Sequence, residues 1–205
     1  FETVQPAYQF IKALLQHEDG LHIDNDHFMI ISPDEGSMSR AIYLANVLGV
    51  NMGMYYKRLD YTTSINGRHP IAAYEFLGPK LEGKDMILID DMISSGDTIL
   101  KIAELLKERG AGKVYICSTF GFFTDGLDKF DKAYEKGIFD KLLTTNLVYR
   151  SPELLEKPYY ITCDMSKYIA LIIDTLNHDN SISRLLNPVD RIKKCVNNYM
   201  SRYDK

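Results

Sequence analysis

The chain of 205 residues has no tryptophan, 3 cysteines, 7 prolines and no long apolar run. Each shortage excludes something. Cys117, Cys163 and Cys195 stand far apart with no C-x-x-C pair. An odd number at that spacing gives no disulfide framework and fits a reducing cytoplasm, where they read as small core residues. No apolar stretch approaches the roughly 20 residues of a membrane span, and no signal peptide is visible, so no membrane partner is expected. Charge is nearly balanced, with 24 Lys and Arg against 28 Asp and Glu for a net −4. That leaves no basic surplus to draw a nucleic acid. Proline and glycine are too sparse for a collagen-like or disordered chain.

What remains is an ordinary globular composition, 45% hydrophobic and 25% charged. The length suits one large domain or two small ones and is enough to bury a sizeable core. The first residue is Phe1 rather than Met, so a trimmed chain is expected.

Apolar periodicity alternates between strand and helix along the chain. Val4–Gln16 has helical spacing, His27–Ser32 is a short buried strand ending at Pro33, and Ser37–Leu48 is a helix stopped by Gly49. Asn51–Arg58 reads as a second strand. Leu59–Pro79 shows no clear period and is expected to be a long polar loop, of the kind that often serves as a lid. Lys84–Met92 is a strong buried strand, followed by an amphipathic helix over Thr98–Arg109 and a strand over Lys113–Phe120. Leu127–Lys136 and Ser166–Leu176 read as helices, Lys141–Thr145 and Tyr159–Cys163 as strands, and the tail from Val189 as helix. This alternation predicts an α/β fold, a mostly parallel twisted sheet with helices on both faces. Ligands in such sheets sit outside the carboxyl ends of the strands, so the loops after strands are the ones to read for function.

The most informative of these is Ile87-Leu88-Ile89-Asp90-Asp91-Met92-Ile93-Ser94-Ser95-Gly96-Asp97-Thr98. An apolar strand ends in two carboxylates, a short Ser/Gly/Thr turn follows, and a helix begins at once. Asp90 and Asp91 can bind Mg²⁺ or accept hydrogen bonds from vicinal hydroxyls. Gly96 permits close backbone approach and unusual dihedrals. Ser94, Ser95 and Thr98 supply hydroxyl donors, and the helix start favours a phosphate. Together they describe a site for ribose 5-phosphate. The same Ser, Thr and Asp also serve as simple helix caps, and both readings stand on spacing alone.

The segment resembles the phosphoribosyl pyrophosphate (PRPP) binding motif of type I phosphoribosyltransferases. That resemblance implies that Asp90 and Asp91 hold the ribose hydroxyls and a bridging metal, and that Ser94, Ser95, Gly96, Asp97 and Thr98 wrap the 5-phosphate. A second segment, Ser32-Pro33-Asp34-Glu35-Gly36-Ser37-Met38-Ser39-Arg40-Ala41, is similar to the pyrophosphate-binding loop of PRPP synthetases. It implies an ATP or pyrophosphate site at Asp34, Glu35, Gly36 and Ser37, with Asp34 as a further Mg²⁺ ligand. Taken alone, it also reads as a Pro-Asp turn capping a helix. Tyr56-Lys57-Arg58, Ser118-Thr119-Phe120-Gly121 and Asn180-Ser181-Ile182-Ser183 keep the family's order.

Membership of that family implies a ribose-phosphate diphosphokinase acting on ribose 5-phosphate and ATP with Mg²⁺. Lys57 and Arg58 would be the catalytic cations on a lid. It also implies a cytoplasmic homo-oligomer. The expected domain is 1–186, corresponding to the second half of the synthetases, followed by a helical extension over 187–205. No segment matching the family's N-terminal half is seen, so a chain lacking that half is expected. Leu59 replaces an arginine of the family's Lys-Arg-Arg run, Asp97 puts a carboxylate in the phosphate loop, and Phe120 stands in place of histidine. Two other readings share the acid pair: a PRPP-consuming phosphoribosyltransferase, and a catalytically silent regulatory homologue.

Overall fold

The computed structural model describes residues 3–59, 62 and 71–203. In chain order the elements are α1 (Ala7–His17), β1 (Phe28–Ser32), α2 (Met38–Leu48), β2 (Asn51–Leu59), β3 (Ile71–Leu77) and β4 (Asp85–Ile93). They continue with α3 (Asp97–Glu108), β5 (Val114–Gly121), α4 (Asp128–Glu135), β6 (Lys141–Thr145) and α5 (Pro152–Leu155). The chain closes with β7 (Tyr160–Cys163), α6 (Ser166–Asn177), α7 (Ser183–Leu186) and α8 (Val189–Met200).

The strands form a 7-stranded sheet in the order β3-β2-β1-β4-β5-β6-β7. Every pairing is parallel except β2 with β3. Strands buried on both faces read as continuous apolar runs, which is why Phe28–Ile31 and Met86–Ile89 carry no polar break. Alternate residues serve opposite faces. Phe28, Ile30, Ile87 and Ile89 pack under α1, α2 and α8, whereas Met29, Ile31, Met86 and Leu88 pack under α3 and α4. Cys117 and Cys163 are buried in the first of these cores, and burial pushes both thiols up. The helix beyond Leu186 joins the same core: α8 buries Ile192 and Tyr199, and the Tyr199 hydroxyl donates to the Glu18 carbonyl and accepts from the Leu21 amide.

One sequence expectation is corrected. The stretch read as an aperiodic loop up to Pro79 contains β3, paired antiparallel with β2. Its seven residues carry little alternation of their own. Pairing with β2, and the packing of Tyr74 and Phe76 against the core, select the extended form. Beyond Met54, β2 runs past the end of β1 as a two-stranded arm with β3, by about 16 Å at the usual rise per residue.

The chain leaves β1 toward one edge of the sheet and leaves β4 toward the other. The carboxyl ends of β1 and β4 therefore open a crevice at the point where strand order reverses, the usual ligand position in open α/β sheets. No described helix is long and apolar enough to cross a membrane.

Candidate functional site

Two loops enter this crevice. After β1, Pro33 ends the strand and Asp34 forms a turn: its Oδ1 accepts the Ser37 amide at 3.2 Å, and its carbonyl accepts the Ser32 hydroxyl at 2.7 Å. Near the carboxyl end of β4, the Asp91 amide donates to Asp90 Oδ1 at 2.8 Å. The end of β4 is joined side chain to side chain with the turn after β1 and the first turn of α2. The Ser37 hydroxyl donates to Asp90 Oδ1 at 2.6 Å, and Arg40 Nη2 donates to Asp91 Oδ2 at 3.0 Å. Burial raises the pKa of Asp90, and the neighbouring Asp34 and Asp91 carboxylates push the same way, against the hydrogen bonds from Ser37 and the Asp91 amide.

The phosphate-loop candidate sits at the start of α3. Gly96 has φ +86, and a Cβ there would collide with the ring of the buried Phe130. Both the left-handed dihedral and the close ring demand glycine. Ser94 is laced to the neighbouring loop, since its carbonyl accepts the Thr124 amide at 3.1 Å. The first amides of a helix have no partner within the helix, so the start of α3 offers donors to an anion. Asp97, the acidic intruder in this loop, is neutralised. Its Oδ1 accepts Lys129 Nζ at 2.7 Å and its Oδ2 accepts the Ser95 hydroxyl at 2.9 Å. Lys129 foremost, then Ser95, hold its carboxyl below the usual range.

These parts line one open polar cavity of about 310 Å³, whose walls include Asp34, Gly36, Ser37, Asp90, Asp91 and all of Ser94–Thr98. Glu35 is exposed and is absent from the lining. A second cavity of about 350 Å³ lies on the other flank of the acid pair. Asp90, Asp91 and Arg40 form its polar end, and Tyr43, Ile89, Phe120, Leu147, Met165 and Ile169 form much of its apolar wall.

Lys57 and Arg58 are on the arm, and neither lines either cavity. Arg58 Nε pairs with Glu75 Oε1 of β3 at 2.9 Å. The side chain of Leu59, and Arg68 and His69 farther along, lie outside the described residues.

Among the described residues no group of three His, Cys, Asp or Glu side chains can hold a metal ion alone. The donors do fit an ion that keeps waters and substrate oxygens. Mg²⁺ is commonly held by one or two carboxylates plus substrate phosphates, and Asp90 and Asp91 border the polar cavity with Asp34.

Sequence reading singled out neither Arg40 nor Lys129 as a site residue. Arg40 closes the Asp34 motif, which was a signal. Lys129 lies 32 residues from its partner on a separate helix and carried none.

A doubly wound sheet with an acid pair and a phosphate-type loop at its switch point defines the class: the α/β fold of the phosphoribosyltransferases. The solved phosphoribosylpyrophosphate synthetase of Mycobacterium smegmatis shares this fold, with TM-score 0.65 and 22% identity over 85% of this chain and 51% of that one. The model of the phosphoribosyl synthetase-associated domain matches residues 67–187, and the chain belongs to that family. Among relatives, the ribose-phosphate pyrophosphokinase of Thermococcus kodakarensis is 32% identical over 58% of this chain and 39% of its own length. That of Pasteurella multocida is 31% identical over 86% of this chain and 53% of its own length. The chain thus spans about half or less of the length of the relatives it matches.

Proposed function

We propose that this chain is the ribose-5-phosphate-binding half of a ribose-phosphate diphosphokinase. In that reaction the C1 hydroxyl of ribose 5-phosphate attacks the β-phosphorus of ATP. The bond from β-phosphorus to the α,β-bridging oxygen breaks, the C1 hydroxyl proton is lost, and PRPP and AMP result. The observation that carries this reading is the 2.6 Å hydrogen bond from Ser37 to Asp90, which brings both motif loops to one crevice.

In this reading Ser94–Thr98 and the start of α3 hold the 5-phosphate by hydroxyl and amide donors. Asp90 and Asp91 accept hydrogen bonds from the 2- and 3-hydroxyls and orient C1 toward the Asp34 loop. Arg40 and Ser37 keep the two carboxylates in place before the sugar arrives, which lowers the ordering cost of binding. The family resemblance makes Asp34, Asp90 and Asp91 the holders of Mg²⁺ and puts ATP phosphates against Gly36 and Ser37. When bound, Mg²⁺ supplies positive charge that offsets the charge on the transferring group. Lys57 and Arg58 act as cations on the arm, which requires Arg58 to exchange Glu75 for phosphate. The rest of the donor site belongs to the half of the relatives' length that this chain does not span, and a cytoplasmic setting goes with the same reading.

The test is calorimetric titration of the chain with ribose 5-phosphate, with and without Mg²⁺, beside the double variant Asp90→Asn/Asp91→Asn. Saturable binding that the variant loses supports the assignment. Equal binding by both proteins removes the acid pair from the site.

A second reading draws on the apolar cavity beside the acid pair. A PRPP-consuming phosphoribosyltransferase needs such a place for a planar base. Turnover of a purine or pyrimidine base with PRPP would favour it over the diphosphokinase.

A further inference from the structure

Away from the acid pair, α1, β7, α6 and α8 form a further cavity of about 300 Å³. It shares no lining residue with the two cavities beside Asp90 and Asp91. The chain as a whole carries a net charge of −4, yet this wall carries three cations against one carboxylate. The cations come from three elements: Lys12 of α1, Lys167 of α6, and Arg191 of α8, the helical extension beyond residue 186.

This positive charge is not answered from within. Lys107, Lys113 and Lys157, on other surfaces, each meet a carboxylate within 3.1 Å. Lys12 and Lys167 have no hydrogen-bond or ion-pair partner among the described residues. Lys167 also stands in the first turn of α6, where the helix dipole adds to its potential. Arg191 is held without a carboxylate. Its guanidinium carbon lies 5.2 Å from the centre of the Tyr8 ring and 5.7 Å from that of Tyr168, and Nη2 donates to the Leu185 carbonyl at 2.9 Å. Two rings and a carbonyl fix the guanidinium in place and leave no anion beside it. The carboxylate of the wall, Asp164, is engaged elsewhere: its Oδ1 accepts Asn146 Nδ2 at 2.8 Å and the Ser166 amide at 2.9 Å.

A second observation concerns a different kind of group. Gln9 lines the same cavity, and its Oε1 is buried with no hydrogen-bond partner among the described residues. A buried acceptor left without a donor costs free energy. A ligand that brings a hydroxyl or amine to this wall removes that cost.

We propose that this cavity binds a small phosphorylated ligand, with its phosphate against Lys12, Lys167 and Arg191 and a hydroxyl or amino donor against Gln9 Oε1. Sugar phosphates and nucleotides share that chemistry, and the cavity is of ligand size. The inference does not rest on the activity proposed above.

Amide NMR titration of the full chain tests it, because each site is read separately. Glucose 6-phosphate and AMP are the probes, and sulfate, an anion with no donor at neutral pH, is the control. Saturable shifts at residues 8–16, 164–171 and 191 are expected with at least one of the two esters. A response to glucose 6-phosphate marks a sugar-phosphate site, and a response to AMP alone marks a nucleotide site. Lys12→Ala and Lys167→Ala, at exposed positions without partners, should each weaken that binding about three- to tenfold at low salt and less at high salt. Gln9→Leu should weaken the ester about threefold or more and leave sulfate within about twofold. No saturable shift at these residues with either ester overturns the proposal, even where residues 94–98 respond. So does ester binding that both lysine variants leave unchanged, or a Gln9→Leu variant that binds the ester as the wild type does. The lysine variants keep the test valid where Gln9→Leu impairs folding.

Discussion

The two cavities that share the Asp90–Asp91 wall are opposites in build. The polar one is built from the turn after β1 and from one continuous run, the end of β4 through its turn into the start of α3. The apolar one collects side chains from α1, α2, β4, β5, the segment after β6, and α6. Anion binding needs closely spaced donors and a fixed backbone, which a single strand–loop–helix unit supplies. Apolar enclosure needs surfaces from several directions, which only packed elements supply. The acid pair thus borders a polar cavity on one side and an apolar one on the other, and Arg40 lines only the apolar cavity while its guanidinium binds Asp91.

Substitutions can separate the two. The largest effect is expected at Gly96. Gly96→Val must either abandon φ +86 or displace the Phe130 ring. A destabilisation of about 2–4 kcal/mol should appear in denaturant melts, with ribose 5-phosphate binding lost altogether. Phe120→Ala acts on the other side. Phe120 is partly buried in the apolar wall, so a loss of about 1–2 kcal/mol of stability is expected. Ribose 5-phosphate affinity should stay within about twofold, and a larger loss would mean that the cavities are not independent.

Lys129→Ala sharpens the comparison inside the polar cavity. It frees Asp97 to face an incoming phosphate uncompensated. Titration should show affinity falling by about three- to tenfold at low salt and by less at high salt, as expected for an exposed charge. Affinity unchanged at low salt would place the Asp97 carboxylate out of the phosphate's reach.

The smallest effect concerns pH. The Asp90 carboxyl is raised by burial, so the folded chain holds its proton to higher pH than the unfolded chain. Asp90 then costs stability that appears as pH rises from the unfolded carboxylate range through the folded pKa. Asp90→Asn should therefore gain thermal stability relative to wild type between acid and neutral pH. A gap that shrinks over that range would show that the Ser37 and Asp91 hydrogen bonds outweigh burial.

Much of the polar site was legible before folding was considered. Ile87–Thr98 holds strand, acid pair, turn and helix start within one short stretch, and each part answers to a local rule. The arm was legible only in half. Asn51–Leu59 has strand character, but Ile71–Leu77 is extended because β2 offers it a ladder. Lys57 and Arg58 fall near the end of β2 as the strand reading placed them, yet their surroundings were hidden: Arg58 meets Glu75 only once the arm has folded back.

By itself the sequence determined the alternation of strands and helices, the family to which the chain belongs, and the loops that carry its charge. These depend on neighbours within a turn or a strand. Tertiary structure alone decided that Ser37 reaches Asp90 across 53 residues, that Arg40 reaches Asp91 across 51, and that Lys129 answers Asp97 across 32. The reason is topological. The first two pairs meet only because β4 returns to lie beside β1, and the third because α3 and α4 pack over the same core; both arrangements are chosen by burying the two faces of the sheet at once, not by any local stretch of chain.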